Sequence, residues 1–156
     1  MKSLIVVFVL CATASFAQQA PLQYGSNITL ADAKKVAAAA EAHALSKQWG
    51  VVIAIVDTGG NLVYLQKQDG TQIGSLEVAQ AKARTANNFK RPTKAFQDGV
   101  ASGGENLRIL SLPSAIAVEG GELIISDGKI IGAIGVSGLQ AAQDTEVAKA
   151  GTVVIK

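Results

Sequence analysis

Two turn signals, Asp57-Thr58-Gly59-Gly60-Asn61 and Asp127-Gly128, constrain this chain more than any other feature. Each is flanked by apolar, β-branched runs: Val51–Val56 and Leu62–Leu65 around the first, Leu123–Ile125 and Lys129–Val136 around the second. Asp, Asn and Gly tolerate the left-handed backbone that tight hairpin turns need, so both signals predict antiparallel pairs. Helical patterns separate them. Thr29 is a suitable N-cap for a helix over about Leu30–Gln48, whose Ala33, Val36, Ala37, Ala40 and Ala44 share one face, with Gly50 as its stop. Ser75 caps a second helix through about Phe89, and Pro92-Thr93 opens a shorter one. A last helix is expected over about Leu139–Ala150, ending at Gly151. Ala115–Val118 reads as a short strand, and Thr152–Ile155 as an edge strand closing the sheet. The order predicts a single α+β domain: a mostly antiparallel sheet of about five strands with helices packed on it.

The N-terminus predicts export. Lys2 supplies a positive start, Leu4–Ala12 an apolar stretch, and Ser15-Phe16-Ala17 a small-x-small cleavage site. The apolar run is far below the roughly 20 residues that cross a bilayer. Residues 1–17 are therefore expected to be a signal peptide, 18–28 a polar lead-in arm, and 29–156 the folded domain. No later segment is apolar and long enough to span a membrane, so the product is expected in the periplasm or secreted.

Cleavage has a chemical consequence. Cys11 and Met1 are the only cysteine and methionine in the chain, and both leave with the leader. Disulfides, thiolate catalysis and cysteine-based metal or haem ligation are excluded from the exported part. The formal net charge is only +2 at pH 7, without a basic run, so nucleic acid is not an expected partner.

His43 is the single histidine. It follows Val36 by seven positions, about 20° around the helix, which places it at the border of the apolar face. Two readings stand: a half-buried, hydrogen-bonded helix-edge residue, or an axial ligand to a haem or corrinoid metal. Lys82 and Arg84 fall among alanines in the second helix, either on a solvated face or positioned to pair with propionates or another anion. Gly135-Val136-Ser137-Gly138 lacks the final glycine of a nucleophile elbow, so Ser137 reads first as a turn or cap residue. Gly132-x-x-Gly135-x-x-Gly138 does not have the spacing of a dinucleotide fingerprint. Asp57, Asp69, Asp127 and Asp144 are all explained by turn or capping chemistry.

Three stretches carry a resemblance. Val52–Val63 with Asp69-Gly70, then Lys82-Ala83-Arg84-Thr85-Ala86, then Asp127-Gly128 with Ile131–Gly138, Gln143-Asp144 and Val147-Ala148, resemble in order the signatures of the GlcG/HbpS-like, or haem-degrading, domain family. The resemblance covers about residues 30–151. Two departures stand out: Lys67-Gln68-Asp69-Gly70 has glutamine where the family usually has methionine, and Gly120-Gly121-Glu122-Leu123-Ile124 lacks a proline.

The resemblance implies a compact α–β domain that forms homo-oligomers and binds haem or a related tetrapyrrole, with a corrinoid as the less favoured ligand. It also implies a place in haem handling or sensing. On that expectation His43 is the best axial ligand, since only it and two tyrosines remain among common strong ligands, and Lys82 and Arg84 are the propionate partners. Binding is favoured over catalysis, and whether the chain is an enzyme stays open. The alternatives are an enzyme acting on a small hydroxy or keto acid, its carboxylate held by Ser137 and adjoining amides, and an oligomeric structural or sensory module.

Overall fold

The two expected hairpins are present in a computed structural model that describes residues 21–155. The expected signal peptide, residues 1–17, lies outside those residues, as does the start of the lead-in arm. In chain order the elements are β1 (Gln23–Tyr24), α1 (Leu30–Ser46), β2 (Val52–Asp57), β3 (Leu62–Lys67), α2 (Ser75–Phe89), α3 (Lys94–Ser102), a 3-10 segment (Gly104–Ser111), β4 (Gly121–Ser126), β5 (Lys129–Ser137) and α4 (Ala141–Thr152). In the first turn the Asp57 carboxylate accepts the Gly59 and Asn61 amides at 2.8 and 2.9 Å. In the second, Asp127 and Gly128 both take positive φ, 48° and 71°, as a two-residue turn of the Asp-Gly kind requires.

β5 is the centre of the sheet. It pairs antiparallel with β4 along one edge and with β2 along the other, and β3 lies outside β2. β1 pairs parallel with Lys129 and Ile130, which also face β4, so it occupies the β2 edge where β2 has ended. The fold is α+β with a mixed five-stranded sheet.

Alternation along β2 explains the layers. Ile53 and Ile55 join Ile134, Val136 and Ile124 against Val36, Ala40, Ala44, Val147 and Ala148 of α1 and α4. Val52, Ala54 and Val56 face the other way, onto Ala79, Ala83 and Ala86 of α2. β2 is thus buried on both faces, which accounts for its continuous apolar run. Small residues let α2 come very close. A Cβ at Gly135 would stand 2.0 Å from the Ala79 carbonyl oxygen and 2.5 Å from the Ala83 amide nitrogen.

Four expectations are corrected. Thr152–Ile155 is no strand, because α4 runs on to Thr152. Gly151 is not its stop but a contact point, where a Cβ would meet the Val36 carbonyl oxygen at 2.9 Å. The fifth strand comes from the lead-in arm instead. Ala115–Val118 is not a strand either, since Thr85 on α2 takes the Ile116 amide at 3.0 Å through its hydroxyl. Finally, α1 ends at Ser46, before Gln48, which adopts φ 59°.

Candidate functional site

His43 sits in the last turn of α1, its side chain 28% exposed. Nε2 lies 2.9 Å from Glu146 Oε1 on α4, and Lys47 Nζ lies 3.4 Å from the same oxygen. The Trp49 ring is edge-on to the imidazole, with centroids 6.4 Å apart. The hydrogen bond to His43, helped by the Lys47 charge, holds the Glu146 carboxyl below its ordinary range. A carboxylate accepting from one ring nitrogen fixes the imidazole tautomer and leaves the other nitrogen's lone pair free. Glu146 is three residues from Gln143 on α4, and nothing local in the sequence marks it as the partner of a residue 103 positions earlier.

Lys82 departs from the solvated-face reading. It is only 1% exposed, with Nζ 2.7 Å from Asp144 Oδ2 and donating to the Val136 carbonyl at 2.9 Å. Val136 stands on the β5 edge where pairing with β4 stops: its amide goes to the Gly120 carbonyl, and the ammonium serves its carbonyl where the next strand residue would be. The other oxygen of Asp144 accepts the Leu139 amide at 3.1 Å. Burial pushes Lys82 down and Asp144 up from their ordinary pKa values, while their hydrogen bond to each other opposes both shifts. Glu119 continues the network, receiving Gln97 and Thr145 at 3.4 Å each.

Arg84, half-buried, donates to Gln80 Oε1 at 3.3 Å. It shares α2 with Lys82, whereas His43 stands on α1 across the sheet. One chain therefore does not bring the three expected ligand-binding residues together. Ser137 is buried, and its hydroxyl meets that of Ser75 at 3.2 Å. With the Leu139 amide already held by Asp144, this turn offers a bound carboxylate little.

A second feature escaped the sequence reading. The C-terminal end of α2, α3 and the 3-10 segment enclose a groove of about 380 Å3, lined by Phe89, Arg91, Phe96, Arg108, Ile109 and Leu112 among others. Phe89 and Phe96 pack edge to face at 5.2 Å. Among the described residues, no group of three or more His, Cys, Asp or Glu side chains is placed to hold a metal ion, and no helix is long and apolar enough to cross a membrane.

Comparison with known proteins gives these sites a frame. The family model described as haem degrading protein HbpS-like matches residues 28–152. Protein GlcG of Escherichia coli K12 is 39% identical over 105 residues, covering 67% of this chain and 77% of GlcG. A crystal structure of a double mutant of HbpS from Streptomyces reticuli superposes with a TM-score of 0.77 at 28% identity, over 94% of this chain and 99% of that one. The crystal structure of a PduOC:haem complex gives 0.75 at 27% identity, over 83% and 96%. The strand–turn–strand units, the Lys82 helix and the β5–α4 region that carried the resemblance in the sequence all lie within the matched residues, and the chain belongs to the haem degrading protein HbpS-like family.

Proposed function

We propose that this chain binds haem and that His43 is its axial ligand, oriented by Glu146. Family membership and the haem complex of PduOC support the ligand class. The observation that carries the residue assignment is the 2.9 Å contact between His43 Nε2 and Glu146 Oε1. The donor set fits the group. The exported part has neither cysteine nor methionine. Tyr24 donates its hydroxyl to the Asn87 carbonyl at 2.7 Å, and Tyr64 donates to Gln66 Oε1 at 2.9 Å. His43 alone combines a reachable ring, a carboxylate partner and an indole beside it. Bound haem would supply an iron centre and a planar apolar body; the chain's part is to present and orient the imidazole. Lys82 is tied to Asp144, so it could serve a propionate only by leaving that partner, and Arg84 is the freer of the two cations.

Haemin titration followed at the Soret band tests the assignment. His43→Ala is expected to shift the spectrum, and Glu146→Gln to weaken binding by about 10–100-fold, the usual scale for outer partners of a metal ligand. Unchanged spectra and affinities in both variants would remove His43 from the site. Hydroxocobalamin binding more tightly than haemin would move the reading to a corrinoid.

Export and self-association belong to the same proposal. The leader pattern of residues 1–17 supports passage to the periplasm or beyond. Apolar side chains left on the surface, Ile73, Leu107, Leu110 and Val153 among them, support burial against further copies of the chain.

A further inference from the structure

We propose that the groove between α3 and the 3-10 segment is a second binding site, which takes a small organic carboxylate with an aromatic or branched-hydrocarbon body. Nothing in the haem reading uses this groove, and α2 with its neighbours lies across the sheet from α1 and His43.

The walls define the ligand chemistry. Phe89 and Phe96, at right angles to within 26° (interplanar angle 64°), together with Ile109 and Leu112 form an apolar floor. Two arginines stand at it. Arg91 is positioned in advance: its Nε donates to the Phe89 carbonyl at 3.2 Å, and its guanidinium carbon lies 5.6 Å from the centre of the Phe96 ring. A guanidinium has five N–H donors, so four remain for a ligand. Among the described residues neither Arg91 nor Arg108 has a carboxylate within ion-pair distance. The nearby acid on α3, Asp98, is held by Lys94 at 2.8 and 2.9 Å.

Two unneutralised forks beside an aromatic floor match an anion whose body is apolar, because a guanidinium binds carboxylates bidentately and stacks on rings. Size narrows the occupant. A cavity of about 380 Å3 lies at the low end of small-molecule sites, roughly 300–1,000 Å3. It suits one or two fused rings.

The test uses 2-naphthoate as probe, with calorimetric titration into the exported protein. The acid is expected to bind, and its uncharged isostere 2-naphthalenemethanol to bind about tenfold or more weakly, the scale of a charge-assisted hydrogen bond. Arg91→Gln/Arg108→Gln should remove that preference for the acid. Ala95→Trp, on an exposed position of the groove wall, should abolish binding of both by filling the space. Circular dichroism checks that each variant folds. His43→Ala should leave naphthoate affinity unchanged, so a failure of the haem reading is seen separately. No binding at millimolar naphthoate, as a second copy of the chain seated in the groove would produce, overturns the proposal. Equal affinity for acid and alcohol, or no effect of the arginine and Ala95 variants, overturns it as well.

Discussion

Lys82 on α2 and Asp144 on α4 meet at 2.7 Å, 1% and 2% exposed, and so join helices that cover opposite faces of one sheet. The ammonium reaches Asp144 past the β5 edge at the point where β4 has ended, and it replaces a missing strand donor at Val136 as it passes. This is a structural joint. Its geometry accounts for Lys82, Asp144 and the glycines at 120 and 121 together: a Cβ on Gly120 would lie 2.8 Å from Lys82 Nζ, and one on Gly121 would lie 2.4 Å from the Lys82 carbonyl oxygen.

Removing one partner strands a buried charge. Lys82→Met is expected to cost about 3–5 kcal/mol of stability in urea unfolding. The double variant Lys82→Met/Asp144→Leu should recover part of that loss. It should still fall about 1–3 kcal/mol short, because the Leu139 amide then loses its acceptor in a part-buried site. Additive losses in the double variant would show that the two residues do not act as a pair.

The approach of α2 to the sheet depends on one missing methyl group. Gly135→Ala drives a Cβ into backbone atoms of α2 that cannot rotate away, and about 3 kcal/mol or more of destabilisation is expected. Gly74→Ala, where nothing stands within 4 Å of the added carbon, should cost no more than about 1 kcal/mol, the scale of placing alanine instead of glycine at the N-cap of α2. Comparable melting temperatures for the two variants would contradict the packing described for α2.

Glu122 gives the fold a pH dependence of definite sign. Burial raises its carboxyl above the ordinary value, with Glu119 adding to the rise and the Lys149 charge on α4 opposing it. The folded chain therefore keeps this proton at a pH where the unfolded chain, with a carboxyl near about 4.3, has released it. The stabilisation is full below the unfolded value and is lost as pH rises through the folded one, with a slope of at most about 1.4 kcal/mol per pH unit for one proton. Glu122→Gln should remove that slope and be the more stable protein at neutral pH, read from unfolding curves over pH 4–8. A parallel pair of curves would refute it.

Processing and assembly are read on the protein recovered from the native host. Intact mass should correspond to a chain starting at or near Gln18, and light scattering should give a homo-oligomer larger than a dimer at micromolar concentration. A full-length cytoplasmic product would refute export, and a monomer would refute assembly.

What the sequence determined by itself is the local part of the fold. Asp57–Asn61 and Asp127-Gly128 dictate their hairpins because a turn's backbone angles depend on the few residues within it. Thr29 marks the start of α1 because its hydroxyl accepts the Asp32 amide three residues on, at 3.1 Å. The alternation of β2 and the alanine face of α1 are likewise written in short periods, and the family follows from motifs in order. Tertiary structure alone decided the rest. Gln23–Tyr24 is too short for any periodicity and becomes a strand only because β5 has a free edge beside it. Gly151 reads as a helix stop until α1 presses against it. Lys82 looks solvated until Asp144, 62 positions away, closes over it, and His43 gains Glu146 from 103 positions away. The groove of Arg91 and Arg108 is built the same way, from three elements that meet only when the chain folds. A side chain's burial, charge partners and reach depend on what arrives beside it in space, and no local pattern carries that information.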